Sequence, residues 1–228
     1  VGNGYRAPTF KELYLRFDNP SVGYTVRGND QLTPEHALSY QLGLNWTISS
    51  PLSLHLNLFR NDIDDRIDFA LVESGSAGNL DRYQLKNISK AYTQGIESEL
   101  SFRIWPVIEL RAGYRFLDAQ DVSANRPLSG RARNQINGTM NLQHPSSGIS
   151  MSTIILWTGE RPFYLETEGD DARRETADAY VNLVVTVGWK LNRVLSLTMR
   201  GENLLDEGDP TFLAQRPRRY VLSLKSQL

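Results

Sequence analysis

The chain has 228 residues, a formal net charge of −1 and no cysteine. With an isoelectric point near 6.4, it lacks the broad positive field that attracts nucleic acid, and without cysteine it forms neither disulfides nor thiolate metal sites. A mean hydropathy of −0.41 and the lack of a long apolar run exclude a membrane-spanning helix, but not membrane-spanning strands, which are only half apolar.

Apolar and polar residues alternate along almost the whole chain, which predicts antiparallel strands with one apolar and one polar face. The clearest copy is residues 52–58, where four leucines alternate with Ser53, His55 and Asn57. Further apolar stripes begin in chain order near Leu38, Ile96, Ile108, Ile149, Val181, Leu195 and Tyr220. Another strand is predicted whose polar face carries Arg131, Arg133, Gln135, Asn137 and Thr139.

The connections between these stripes alternate in length. Short turns are predicted at residues 49–51, 105–106, 144–148 and 191–193. Long polar loops are predicted at residues 73–79, 118–127, 160–176 and 206–210. Roughly nine strands of about 9–12 residues, with short turns on one rim and long loops on the other, are typical of an outer-membrane β-barrel.

A soluble β-sandwich with one buried face is the alternative interpretation of the alternation. Two observations favour the barrel. The loop lengths alternate more regularly than Greek-key connections do. The polar face also carries charged residues in strand centres, which a water-filled lumen permits. These residues are Glu97, Glu99, Arg111, Arg133 and Arg200.

Five segments, in order along the chain, resemble motifs of the TonB-dependent outer-membrane receptors. Residues 4–14, GYRAPTFKELY, resemble the family signature FRAPT-KELY, and residues 28–35, GNDQLTPE, resemble GNP-LKPE with Asp30 in place of the usual Pro. The other three are FRNDIDDRI at 59–67, QGIESEL at 94–100 and ENLLD at 202–206. The residues assigned to the first two motifs are Tyr5, Arg6, Ala7, Pro8, Thr9, Glu12, Leu13, Tyr14, Gly28, Asn29, Leu32, Pro34 and Glu35.

This resemblance implies an all-β chain, an antiparallel transmembrane segment holding roughly the last nine or ten strands of a 22-stranded barrel. Residues 1–228 would then be the C-terminal part of the barrel domain, and the plug domain and TonB box would be absent from this chain. The missing strands would come from the rest of a longer polypeptide or from another chain. The chain ends in Leu228, whereas family members usually end in an aromatic residue.

The resemblance also implies a function and a location. The expected protein is a receptor in the outer membrane of a Gram-negative bacterium that takes up a scarce nutrient, most often a ferric siderophore. Cobalamin, haem and oligosaccharide remain open, as does a non-transporting barrel such as an adhesin or enzyme. The implied partners are the TonB complex, reached through the missing N-terminal region, outer-membrane lipid and lipopolysaccharide, and a small-molecule ligand, but not nucleic acid.

Two long loops carry aromatic and cationic side chains together, a combination that recognises anionic aromatic ligands through charge and stacking. The first loop supplies Tyr14, Arg16, Phe17, Tyr24 and Arg27. The second supplies Arg161, Phe163, Tyr164, Arg173 and Arg174. The simpler interpretation is that both are ordinary solvated loops.

No catalytic or metal site is predicted, and no cofactor. His36, His55 and His144 are scattered without metal-ligand spacing, and no serine lies in a nucleophile-elbow context. The loop at 15–27 contains no histidine, which disfavours haem. The acidic run at residues 62–65 lacks the glycine and distal glutamate of an EF-hand loop, so solvated carboxylates are expected there.

Overall fold

The computed structural model describes residues 1–20, 24–73, 80–104, 107–165, 173–208 and 217–226. Its elements, in chain order, are β1 Gly2–Arg6, α1 Phe10–Tyr14, β2 Arg16–Asn19, β3 Tyr24–Arg27, β4 Glu35–Ser49, β5 Leu52–Glu73, β6 Asp81–Ile104, β7 Ile108–Asp121, β8 Arg126–Pro127, β9 Asn134–His144, β10 Ile149–Thr158, β11 Arg161–Leu165, β12 Arg173–Ala177, β13 Tyr180–Lys190, β14 Leu195–Glu202 and β15 Arg219–Ser226. No helix in these ranges is long and apolar enough to cross a membrane.

The long strands follow one another in the main sheet in the order of the chain. That order is β1, β4, β5, β6, β7, β9, β10, β13, β14 and β15. The nine strands from β4 onward correspond to the nine predicted stripes, and the predicted all-β fold class is confirmed. Neighbours in sequence become neighbours in the sheet because each antiparallel pair needs only a short connection.

The chain divides into two compact units. The first contains residues 1–41, 59–94 and 119–128, and the second contains residues 42–58, 95–118 and 129–228. Strands β4, β5, β6 and β7 each contribute residues to both units.

In the second unit, the strand register sorts side chains onto two faces. One row of cross-strand partners is wholly apolar: Ile108, Leu142, Met151, Val187, Met199 and Leu222. The adjacent row, on the opposite face, is mostly polar: Glu109, Asn141, Ser152, Thr186, Arg200 and Val221. Met199 is 59% exposed and Leu222 is 68% exposed, so no described residue covers the apolar face at these positions.

The first unit has a small apolar core of its own. Leu32, Ile67 and Leu85 are buried together, and Leu13 of α1 packs against them. These four side chains come from α1, from the segment before β4, and from β5 and β6. Burial of a few aliphatic side chains stabilises a packed cluster by about 1.5–3 kcal/mol each, which is enough to hold the segment around α1 in place.

Three sequence expectations about local structure were wrong. Strand β9 begins at Asn134, so Arg131 and Arg133 precede it, and the guanidinium of Arg133 instead lies 5.2 Å from the ring centroid of Phe116. The loops predicted at 15–27 and 160–176 each contain a hairpin. In the predicted loop at 118–127, β7 continues to Asp121 and pairs back with β8.

Candidate functional site

The segment that resembles the family signature begins with a capped helix. Thr9 is the N-cap of α1, and its hydroxyl oxygen accepts a hydrogen bond from the backbone N–H of Glu12 at 3.3 Å. The Glu12 carboxylate accepts in return from the backbone N–H of Thr9 at 2.7 Å. This reciprocal capping box satisfies two N–H groups that a helix start leaves unpaired, and it explains why Thr9 and Glu12 lie three residues apart in the motif.

Arg6 joins this helix start to the sheet. Its guanidinium donates to both carboxylate oxygens of Glu35, at 2.8 and 2.6 Å, and to both oxygens of Glu12, at 3.0 Å each. Glu35 also accepts from the backbone N–H of Ile67 in β5 at 2.8 Å. Arg6 therefore connects β1, α1 and β4, and Glu35 extends the connection to β5.

The charge of Arg6 acts on the carboxylate of Glu12. The hydrogen bonds from Arg6, helped by those from Thr9, lower the pKa of Glu12 from 4.5 to about 2. Glu12 is consequently ionised across the whole physiological range of pH, and the contact with Arg6 stays charge-assisted.

The second motif segment is held by asparagines and by close backbone packing. Asn29 donates through its side chain to the Leu85 carbonyl at 3.0 Å, and its backbone N–H donates to the Glu12 carbonyl at 3.0 Å. The Asn87 side chain pairs with both backbone groups of Thr33, at 2.9 Å each. A Cβ at Gly28 would lie 2.6 Å from backbone atoms of Leu13, which explains the glycine.

The first ligand-binding candidates lie around the hairpin β2–β3. Phe17 and Tyr24 face each other with ring centroids 6.1 Å apart, and Arg16 is the cross-strand partner of Arg27. Tyr14, in α1, has its ring 4.9 Å from that of Phe10. The structure therefore gathers these five predicted residues in one segment, with three aromatic rings partly or fully exposed to solvent.

The hairpin is fixed by a polar cluster at its centre. The Thr25 hydroxyl and the Arg27 guanidinium both bind the carboxylate of Asp18, the latter at 2.6 Å. These two donors, Thr25 first, lower the pKa of Asp18. Of the two predicted arginines, Arg27 is committed to this internal ion pair, whereas Arg16 is exposed.

Strand β3 pairs in parallel with β6, which sequence reasoning missed. The register places Val26 beside Tyr83, and the rings of Tyr24 and Tyr83 meet edge to face at 6.3 Å. Tyr83 thus joins the aromatic set of the first loop. No local pattern signals this contact, because it joins segments that are far apart in sequence.

The second set of candidates lies on the hairpin β11–β12. Phe163 and Tyr164 are half-buried, and Arg174 is exposed. Arg173 forms an ion pair with Glu175 at 2.6 Å. Arg161 differs from the others because it is only 3% exposed and its guanidinium lies 5.0 Å from the ring centroid of Tyr180. The hairpin brings all five residues into one element of the second unit, whereas the first set belongs to the first unit.

The acidic run at residues 62–65 is paired with cations. Asp62 contacts Arg60 at 2.7 Å, and Asp64 contacts Lys90 at 3.0 Å. Asp65 adopts a positive φ of 56°, which interrupts the regular alternation of β5. Across the described ranges, no three histidine, aspartate or glutamate side chains are grouped to hold a metal ion.

The polar face of the second unit contains a niche of about 300 Å³. Its lining includes His55, Glu97, Glu99, Arg115 and Gln135. His55 hydrogen-bonds to Asn45 at 2.5 Å. Glu97 accepts from the side chain of Asn57, which is 7% exposed, at 3.2 Å. The niche shows that charged side chains occupy strand centres on this face, as predicted for Glu97 and Glu99.

Comparison with known proteins identifies the family. A family model described as "TonB dependent receptor-like, beta-barrel" matches residues 1–204. The chain is 28% identical over 221 residues to the vitamin B12 transporter BtuB of Vibrio vulnificus, covering 97% of this chain and 32% of the relative. It is 25% identical over 222 residues to the ferrienterobactin receptor of Escherichia coli, covering 91% of this chain and 30% of the relative.

Solved structures agree on the fold. A variant of the ferric enterobactin receptor PfeA from Pseudomonas aeruginosa superimposes with a TM-score of 0.75 at 21% identity, over 98% of this chain and 37% of that chain. The siderophore receptor PirA from Acinetobacter baumannii gives a TM-score of 0.71 at 21% identity, over 89% of this chain and 33% of that chain. The chain spans about a third of the length of the relatives it matches. The chain belongs to the TonB-dependent receptor family and forms part of its β-barrel.

Proposed function

We propose that this chain forms wall and outer loops of an outer-membrane transporter that takes up a ferric siderophore with energy supplied through TonB. The observation that carries the proposal is the two-faced sheet of a TonB-dependent receptor barrel, with an uncovered apolar row from Ile108 to Leu222. Such a row is costly in water and is stabilised against hydrocarbon. The proposed transporter also requires further barrel strands, a plug and a TonB box that lie outside this chain.

The side chains of the first loop are of the types that bind an anionic aromatic ligand. The rings of Phe17, Tyr24 and Tyr83 form a continuous aromatic cluster on one face of the hairpin β2–β3, and Arg16 is exposed on the other face. Aromatic faces bind planar ligands by stacking, and a guanidinium binds paired oxygen atoms. Relatives named as ferrienterobactin receptors and a siderophore receptor of the same fold support an iron complex as the ligand.

Cobalamin is the second candidate. A relative named as a vitamin B12 transporter matches 97% of the chain. Cobalamin carries less negative charge than most siderophores, so its binding would depend less on Arg16 and more on the aromatic rings.

Uptake measurements separate the two candidates. The complete gene product would be expressed in a strain lacking its own siderophore and cobalamin receptors, and accumulation of iron-55 siderophores would be compared with that of cobalt-57 cobalamin. The proposal predicts iron uptake that disappears when TonB is deleted and falls at least tenfold with Phe17→Ala and Tyr24→Ala together. Lys11→Met, an exposed change on α1, serves as the matched control.

Two results would contradict the proposal. Cobalamin uptake without uptake of any siderophore would establish the second candidate. Accumulation of neither compound, in cells where the protein is folded in the outer membrane, would favour a non-transporting barrel such as an adhesin.

A further inference from the structure

Arg161 is a buried cation that has no counter-ion among the residues that the structure describes. It is the first residue of β11 and is 3% exposed. In the part of the chain that the structure describes, its Nε and Nη2 atoms are buried and meet no hydrogen-bond acceptor. Removing a guanidinium from water without giving it an anion is costly, so an isolated arginine in this position requires an explanation.

Two carboxylates on the segments that neighbour Arg161 are engaged with other groups. Glu175, on the partner strand β12, pairs with Arg173 at 2.6 Å. Glu207 accepts from the backbone N–H of Val181 at 2.7 Å. Glu160, the residue before Arg161, is exposed to solvent. The stacking of Arg161 on Tyr180 favours the cation, but a ring face does not satisfy N–H groups that lie in the guanidinium plane.

The strand register places Tyr180, the ring on which Arg161 stacks, on the polar face of the main sheet, whereas Arg161 itself lies in the separate two-stranded sheet of β11 and β12. Tyr180 is the cross-strand partner of Thr158, and the adjacent pair, Trp157 and Val181, projects to the opposite face. Thr158 is 3% exposed and accepts a hydrogen bond from Gln135 at 3.4 Å, which leaves its hydroxyl hydrogen free to donate. The ring beneath Arg161 therefore belongs to the polar face and not to the apolar face.

The row of the main sheet that contains Thr158 and Tyr180 also includes a half-buried arginine. Arg115 is the cross-strand partner of Gln135, which in turn pairs with Thr158. The Nε atom of Arg115 is also buried without an acceptor among the described residues. The row that ends at Tyr180 thus contains a second guanidinium nitrogen that is buried without an acceptor among the described residues.

We propose that Arg161, with the ring of Tyr180 beneath it, is a binding site for a small oxyanion of the phosphate or carboxylate class. The guanidinium fork matches two oxygen atoms of such an anion, and the ion would supply the acceptors that Nε and Nη2 lack. The inference does not depend on which compound the protein transports, because a free ion and a carboxylate on a larger ligand offer the same oxygen atoms.

Direct binding of phosphorus-32 phosphate tests the site. The complete protein in detergent micelles would be dialysed against labelled phosphate at constant ionic strength set with chloride, and citrate would be used as a competitor. We expect saturable binding of phosphate, displacement by citrate, and at least a tenfold loss of affinity in Arg161→Gln. Tighter binding of citrate than of phosphate would assign the site to carboxylate ligands.

Arg193→Gln is the matched control, since it removes one exposed arginine from the β13–β14 turn and should leave phosphate binding unchanged. In phosphate-free buffer, Arg161→Gln should unfold at the same temperature as the wild type or higher, because it removes an uncompensated buried charge. A purely structural arginine would instead give a lower unfolding temperature at every phosphate concentration.

The Lys variant covers the case in which Arg161→Gln does not fold. Arg161→Lys keeps the charge but loses the planar fork, so its phosphate affinity should fall severalfold. Phosphate binding that is equal in wild type and either variant, or no binding by the wild type, would overturn the proposal.

Discussion

Arg6 is the residue on which the attachment of α1 to the sheet depends. Two carboxylates, Glu12 and Glu35, converge on its guanidinium. Without Arg6 these two negative charges would face each other with no cation between them. The FRAPT-KELY resemblance identified Arg6 and Glu12, and the GNP-LKPE resemblance identified Glu35, but only the structure shows that the three residues form a single contact.

Replacing Arg6 should loosen α1 without unfolding the sheet. Arg6→Met removes the charge and keeps most of the aliphatic stem, and we expect a loss of about 1 kcal/mol in local stability, because the contacts are partly exposed. Amide hydrogen exchange of residues 10–15 should accelerate about fivefold, the equivalent of that free energy. Lys11→Met is the control, and equal exchange in the two variants would show that Arg6 does not anchor the helix.

The low pKa of Glu12 sets the pH range of this attachment. Because the folded state holds the pKa at about 2, below the ordinary value of 4.5, the contribution of Glu12 is fully present above pH 4.5. It is lost as the pH falls from there through about 2.

A carbon-13 titration of the Glu12 carboxyl measures this directly. The midpoint should lie near 2 in the wild type and should rise toward the ordinary range in Arg6→Met, since the hydrogen bonds from Arg6 are the main cause. A wild-type midpoint near 4.5 would show that the contact between Arg6 and Glu12 is not maintained in solution.

At the scale of elements, the two faces of the sheet should differ in their tolerance of charge. Met199 and Thr198 are adjacent in the middle of β14 but project to opposite faces. Met199 has the apolar partners Val187 and Leu222, whereas Thr198 has the small partners Gly188 and Ser223. The two positions therefore form a matched pair.

Met199→Arg should destabilise the protein in lipid far more than Thr198→Arg. An arginine facing hydrocarbon near the middle of a bilayer costs about 2–4 kcal/mol, whereas one facing a polar lumen has little effect. Urea unfolding of the complete protein in phospholipid vesicles measures both changes. Similar losses in the two variants would contradict the assignment of the faces.

The strands could be predicted from the sequence because alternation is a local property. Each residue of β14 follows the period of two that its own neighbours in sequence define, and the register then aligns Leu197 with Trp189 and Leu224. The sequence did not predict the hairpin β2–β3, because its position depends on the contact of Tyr24 with Tyr83 in β6. Arg133 was placed within a strand because alternation alone does not mark where a strand begins.

The candidate site was predicted in part. The sequence grouped Phe17 with Tyr24 and placed Arg161 with Phe163, and each group lies in one hairpin. It gave no sign that Arg161 is buried, because an arginine in a polar segment is usually solvated. The ring on which its guanidinium stacks, Tyr180, belongs to a different strand. The binding roles of the ten loop residues stay predictions.

At the scale of the whole molecule, the family assignment and the uncovered apolar face both indicate that this sheet is part of a barrel wall. Family membership, which the match over residues 1–204 establishes, implies a barrel wall. The apolar row independently requires a hydrocarbon or protein surface to cover it. The niche around Glu97 and Arg115 requires water or polar protein on the other face.

The most direct test uses the absence of cysteine from the chain. Single cysteines would be placed in turn at residues 195–202 of β14, in a variant of the complete protein from which any other cysteine has been removed, and the spin-labelled protein would be reconstituted in lipid vesicles. Accessibility to oxygen, which concentrates in lipid, and to a water-soluble nickel complex would then be measured by electron paramagnetic resonance. We expect both accessibilities to alternate along the strand with a period of two and in opposite phase. Residues 197 and 199 should be accessible to oxygen, and residues 196 and 198 should be shielded from it. Equal accessibility along the strand, or the reverse phase, would contradict the assignment of this sheet to a membrane wall.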